Sequence, residues 1–149
     1  MQSVTGLTIK LLSFTVPQSV LRGTDLLRVK ARTLPEENKQ KYDLKGKQMG
    51  QCNLSFTFNI TNQTEKVLFI LRKKTILSGN KTVGTAEIPI SELTKPTASE
   101  SSNIITLDIY YPLERQLHEQ LPRGADRANI KEKVIGQMKI AVSLSEPLN

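Results

Sequence analysis

Apolar and polar residues alternate one by one in several short segments of this chain. In the clearest of them, Cys52–Ile60, Asn, Ser and Thr occupy one side and the other side carries Leu54, Phe56, Phe58 and Ile60. A period of two is typical of a β-strand with one buried face. The pattern therefore predicts a half-buried strand over this segment.

Related patterns predict strands along most of the chain. Near the N-terminus the apolar positions change phase between Leu11 and Leu12, as in a strand that contains a β-bulge. The run Lys66–Lys73 is almost continuously apolar, which is typical of a strand buried on both faces. The predicted strands span 7–16, 26–31, 40–44, 53–60, 66–73, 83–90, 105–111 and 137–144, with the weakest pattern at 40–44.

One segment has a helical period instead. Leu113, Leu117 and Leu121 recur every four residues and predict a short amphipathic helix that ends at Pro122 and Gly124. Strands of this number with one helical insertion imply an antiparallel β-sandwich. We expect one all-β domain over 1–149, with a helical and loop insertion at 112–134.

Composition narrows the function classes. The 149 residues contain no apolar run near the roughly 20 residues that span a bilayer. The N-terminus lacks the pattern of a secretory signal, and the one cysteine, Cys52, cannot form an internal disulfide, so we expect a cytoplasmic protein. His118 has no neighbouring Ser or Cys nucleophile, and we expect no enzyme, cofactor or small-molecule substrate. Few aromatic residues remain for stacking on bases, which argues against nucleic-acid binding.

Five segments carry a family resemblance. They are Asp25–Ala31, Leu54–Phe58, Val67–Leu71, Val83–Leu93 with its Val-Gly-Thr-Ala-Glu-Ile-Pro-Ile motif, and Gly136–Leu144. Their order and content resemble the C-two (C2) domain, the calcium- and phospholipid-binding β-sandwich named after a region of protein kinase C. The resemblance implies an eight-stranded Greek-key sandwich.

The resemblance also implies where calcium would bind. Calcium-binding members use carboxylates from two loops at one end of the sandwich. In this chain the first loop, 16–25, offers only Asp25, and the third, 72–82, offers no acid. That third segment instead contains Arg72, Lys73, Lys74 and Lys81. We expect no calcium there, since cations repel the ion, and we expect Asp25 to cap the turn before its strand.

The chain carries 21 Lys and Arg against 14 Asp and Glu, a net charge of +7, and several cations follow a pattern. The patterned cations that we select as a lipid- or acidic-partner-binding set are Arg28, Lys30, Arg32, Lys39, Lys41, Lys45, Arg72, Lys73, Lys74 and Lys81. The resemblance implies an anionic-lipid patch on this strand region. The alternative is a solvated sheet face that Asp25, Glu36, Glu37 and Asp43 partly neutralise.

The loop that we predict between the cations of 72–81 has an apolar tip. Ile76 and Leu77 could insert into a bilayer or fold back onto the sandwich, and the sequence leaves both alternatives open.

We therefore hypothesise a non-catalytic, calcium-independent C2-like binding module in the cytoplasm. It would dock through its basic face on anionic phospholipid membrane or on an acidic partner, as an adaptor at the membrane or the cytoskeleton. The alternative function is a structural scaffold subunit of a cytoskeletal, ciliary or microtubule-associated assembly.

Overall fold

The computed structural model describes residues 5–17, 25–35, 38–75, 79–93, 104–111 and 134–144. These residues form eight strands: β1 (Thr5–Thr15), β2 (Leu26–Leu34), β3 (Lys39–Lys45), β4 (Leu54–Ile60), β5 (Lys66–Thr75), β6 (Gly79–Pro89), β7 (Ile104–Tyr110) and β8 (Val134–Leu144). A short 3-10 turn, Gly46–Gln48, follows β3, and one helical turn, α1 (Ile90–Leu93), follows β6.

The strands pair in the order β3-β2-β5-β6-β7-β8-β1-β4, and every pairing is antiparallel. In the described residues β6 meets β7 only where Thr85 pairs with Tyr110, so the order divides into two four-stranded halves. The two halves pack face to face as a sandwich. The predicted all-β antiparallel sandwich is confirmed.

The core lies between the halves, because each strand turns alternate side chains inward. Its largest fully buried residues are Leu7, Ile9, Leu11, Phe14, Leu27, Phe56, Ile60, Phe69, Leu71, Ile88 and Ile109. The ring of Phe56 packs edge-on against Tyr42 and Phe69, with ring centroids 5.0 Å and 5.8 Å away. Favourable edge-to-face geometry thus links β3, β4 and β5 across the sandwich.

At the edge opposite the β6–β7 junction, side chains of β3 complete the closure. Gln40 accepts a hydrogen bond from the main-chain N–H of Thr57 at 2.8 Å and donates one to the carbonyl of the same residue. The hydroxyl of Tyr42 donates to the carbonyl of Ser55 at 2.5 Å. These bonds satisfy main-chain groups at the outer edge of β4 and hold β3 in place.

Two glycines of the motifs noted above lie where strands approach closely. A Cβ atom on Gly136 would overlap the main-chain carbonyl of Thr15 on β1, and one on Gly84 would come 2.6 Å from Ile109 Cγ2. Close approach of backbone explains why these strand positions carry no side chain.

Several sequence predictions can be compared with these bounds. The pairing of β1 with β8 shifts register between Leu11 and Ser13, which confirms the predicted bulge. The fourth strand begins at Leu54, because Asn53 adopts a left-handed conformation (φ 50°) that ends the extended backbone. The loop predicted over 72–82 is wrong: β5 continues to Thr75 and β6 begins at Gly79, since Arg72 pairs with Thr82 and Lys73 with Lys81.

Other predictions fall outside the described residues. The amphipathic helix at 113–121 and His118 lie there, as does the insertion predicted at 112–134 except for Val134, which begins β8.

Candidate anion-binding face

The outward side of β2 carries three cations. Leu27, Val29 and Ala31 are buried in the core, so the alternating Arg28, Lys30 and Arg32 point away from it. All three are partly exposed. The strand therefore presents a line of positive charge, as the alternation predicts.

Strand β3 brings two more cations beside this line. Lys41 pairs directly with Lys30, and Lys39 pairs directly with Arg32. Side chains of directly opposite residues lie on the same side of a sheet, roughly 5 Å apart at Cβ. Like charges in this position are unfavourable to the fold, so two cross-strand pairs of this kind are not explained by stability.

Strand β5 supplies the other flank. Arg72 pairs with Arg28, and Ile70 pairs with Lys30, so both side chains share the outward face of β2. Ile70 is only 9% exposed although it is not part of the core between the halves. An apolar residue in this place is covered by its neighbours, which fits the aliphatic stems of long cationic side chains.

Lys30 lies at the centre of this positive charge. Desolvation lowers its pKa most, and the charges of Lys39, Arg72, Arg32 and Lys41 lower it further. We call these five residues the Lys30 cluster. Within the described part of the chain, Lys30, Arg32, Lys41 and Arg72 form no ion pair with a carboxylate.

Two guanidinium groups of the Lys30 cluster also contain donors that lack an acceptor. Nε of Arg32 and Nε of Arg72 are covered from solvent, and neither has a hydrogen-bond partner. A buried donor without an acceptor costs free energy, and such groups in a folded protein call for an explanation. An oxyanion seated on the cluster would supply acceptors to both.

A second group of charges lies on the same face and is neutralised. The carboxylate of Asp43 accepts from Nε of Arg28 at 2.9 Å and from Nζ of Lys74 at 2.9 Å. Nη2 of Arg28 also donates to it, at 3.4 Å. We call Arg28, Asp43 and Lys74 the Asp43 triad. The bonds from Arg28 and then Lys74 hold the pKa of Asp43 far below its usual range.

The remaining residues of the predicted set lie elsewhere. Lys45 ends β3 beside the exposed Leu26, with which it pairs. Lys73 and Lys81 pair with each other on the opposite side of the strands from Arg72. Ile76 and Leu77 lie outside the described residues, and so does the question of whether they insert into a bilayer.

Asp25 and Lys73 meet at the end of the sandwich where the sequence comparison placed the calcium loops. Nζ of Lys73 lies 3.4 Å from Oδ2 of Asp25. The main-chain carbonyl of Asp25 accepts a hydrogen bond from the N–H of Gly46 at 2.8 Å. An ammonium group thus neutralises the one carboxylate that the first loop offers.

Cys52 is a packing residue in this structure, as predicted. Its thiol lies 3.6 Å from the carbonyl of Met49 and 3.7 Å from that of Leu12, beside the core. Burial raises the pKa of the thiol to about 11, so it is not a thiolate at neutral pH.

Two searches of the described residues found no further site or span. They contain no group of three His, Cys, Asp or Glu side chains placed to hold a metal ion. Among their helices, none has the length and apolar character needed to cross a membrane.

No protein-family model matches the chain, and no curated protein matches its sequence. Solved structures do match. The A-type C2 domain of plant Extended Synaptotagmin 1 superposes with a TM-score of 0.62 at 16% identity, over 97% of this chain and 95% of that one. A C2 domain-containing protein matches with a TM-score of 0.57 at 13% identity, over 99% of this chain and 93% of that one.

The chain has the C2 fold. A third C2 match is a segment of CC2D1B, with a TM-score of 0.59 at 14% identity; it covers 93% of this chain and 54% of that one. Identities this low establish the C2 architecture, whereas function must be argued from the surface residues of this chain.

Proposed function

We propose that the chain is a calcium-independent C2-fold binding module that docks the Lys30 cluster on anionic, phosphoinositide-containing membrane. The observation that carries the proposal is the concentration of positive charge around Lys30, where four of the cations form no ion pair in the described residues. Each Lys or Arg near an anionic membrane contributes about 1 kcal/mol, so four cations support reversible docking.

The unsatisfied donors support an oxyanion as the ligand. Phosphate oxygens are strong acceptors, and guanidinium groups offer donors that match them. The Nε groups of Arg32 and Arg72 would gain the acceptors that the protein does not provide. The same two arginines flank Lys30, whose charged form a phosphate would stabilise.

Calcium independence is supported by the pair of Lys73 and Asp25. Calcium needs several oxygen ligands with compensating negative charge. Here the carboxylate of Asp25 already lies 3.4 Å from an ammonium group, and Lys81 pairs beside that lysine. Both cations would oppose the entry of a divalent ion.

Cosedimentation with phosphatidylcholine vesicles that contain a phosphoinositide tests the proposal. We expect binding at low salt that a calcium chelator leaves unchanged and that added salt weakens, because exposed charges are screened. Vesicles of phosphatidylcholine alone are the control and should not bind. No sedimentation with the phosphoinositide vesicles at low salt would contradict the proposal and favour the scaffold function instead.

A further inference from the structure

The Asp43 triad continues the same surface as the Lys30 cluster. Arg28 lies two residues before Lys30 on β2, and it pairs directly with Arg72 on β5. Lys74 lies two residues beyond Arg72 on the same strand. The cations of the two groups therefore form one outward surface, and a carboxylate interrupts it at one place.

The geometry of the triad is that of an occupied oxyanion site. A guanidinium donates two N–H groups to the two oxygens of one carboxylate, and an ammonium donates to the second oxygen. A phosphate group presents equivalent oxygens to the same donors and carries more charge. Asp43 thus stands where a phosphate oxygen pair of an external ligand would bind.

Arg28 and Lys74 do not depend on Asp43 for their positions in the sheet. They belong to β2 and β5, which pair with each other from Leu27 to Leu34, whereas Asp43 belongs to the terminal strand β3. The Asp43 side chain is 51% exposed, so water and ligands reach it. Exposed ion pairs of this kind contribute little to folding stability.

We propose that Arg28 and Lys74 form a second phosphate-binding site, which the chain's own Asp43 fills, and that Asp43 thereby weakens docking on anionic membrane. The inference rests on the proposed function, since it concerns the same face. It makes the carboxylate an internal competitor of the lipid headgroup. Removing its charge should then strengthen binding, an effect that no loss of folding can imitate.

Asp43→Asn tests the inference, with Asp108→Asn as the matched control. Asp108 is an exposed carboxylate of β7 that contacts only Gln137, at 3.5 Å, among its described hydrogen bonds. Both variants change the net charge by the same amount. On phosphoinositide-containing vesicles we expect Asp43→Asn to bind about tenfold more tightly than the unmodified chain, from two released cations, and Asp108→Asn to change binding less than twofold.

A double-mutant cycle separates a released site from a general gain of charge. Lys74→Gln should weaken binding by less than about twofold in the unmodified chain, where Asp43 holds the lysine. In the Asp43→Asn background the same substitution should weaken binding about fivefold. Equal effects in the two backgrounds would overturn the inference.

The outcomes also separate this inference from the proposed function. If the unmodified chain binds and Asp43→Asn binds no more tightly than Asp108→Asn, the triad is a structural ion pair and the inference fails alone. If neither the unmodified chain nor Asp43→Asn binds the vesicles at low salt, the proposed function fails with it.

Discussion

The basic face contains two regions that differ in one residue type. In the Asp43 triad, two cations share a carboxylate. In the Lys30 cluster, four of the five cations form no ion pair within the described ranges, and the pKa of Lys30 is lowered. Both regions lie on the same strands, at neighbouring rows of the sheet. The comparison teaches that charge density alone does not define an anion site; what matters is which cations the protein has left without a carboxylate.

The largest effect should come from reversing charge inside the Lys30 cluster. Lys30→Glu with Lys41→Glu should weaken binding to phosphoinositide-containing vesicles at least about 30-fold, from about 1 kcal/mol for each lost cation. Lys10→Glu with Lys139→Glu is the matched control, because both lysines are exposed on β1 and β8 in the other half of the sandwich. An equal loss in both double variants would show that only net charge matters.

A smaller effect should distinguish two arginines that pair directly across the strands. Arg72→Gln should weaken vesicle binding about fivefold, since its guanidinium is available to a ligand. Arg28→Gln should weaken it less than twofold, because Asp43 already neutralises that side chain. Titration of each variant with the same vesicles measures both values. A greater loss for Arg28→Gln would reverse the assignment of the two regions.

The difference between these arginines also shows what the sequence could and could not predict. Alternation placed Arg28, Lys30 and Arg32 on one face of a strand, because burial of every second residue decides the phase. The sequence did not place Arg72 beside them, since the apolar run ends at Leu71 and only pairing with β6 shows that the strand continues. The position of Asp43 opposite Arg28 follows from the register of β2 and β3, which local patterns do not determine.

The rest of the fold divides in the same way. The five motif segments predicted the C2 sandwich, because alternation, glycine and proline positions are local properties of the chain. The single bridge between β6 and β7 and the side-chain bonds from Gln40 and Tyr42 to β4 depend on contacts between segments distant in sequence. No local pattern specifies such contacts.

The smallest effect should be on folding stability. Lys30→Gln removes a like-charge pair with Lys41 and should raise the free energy of unfolding by about 0.5 kcal/mol. The folded-state pKa of Lys30 lies below 10.5, so the unfolded state holds more protons as pH rises toward that value, and stability rises with pH. The advantage of Lys30→Gln in urea denaturation should therefore shrink as the pH approaches 10.5. A constant advantage across this window would contradict the cause assigned to the lowered pKa.

The most direct test follows the arginine Nε–H signals by NMR while inositol trisphosphate, the soluble phosphoinositide headgroup, is added to the unmodified chain. The account predicts large shifts for Arg32 and Arg72, whose Nε groups gain acceptors, and a small shift for Arg28, whose Nε already donates to Asp43. Shifts confined to Arg28, or no shift at any of the three arginines, would contradict it.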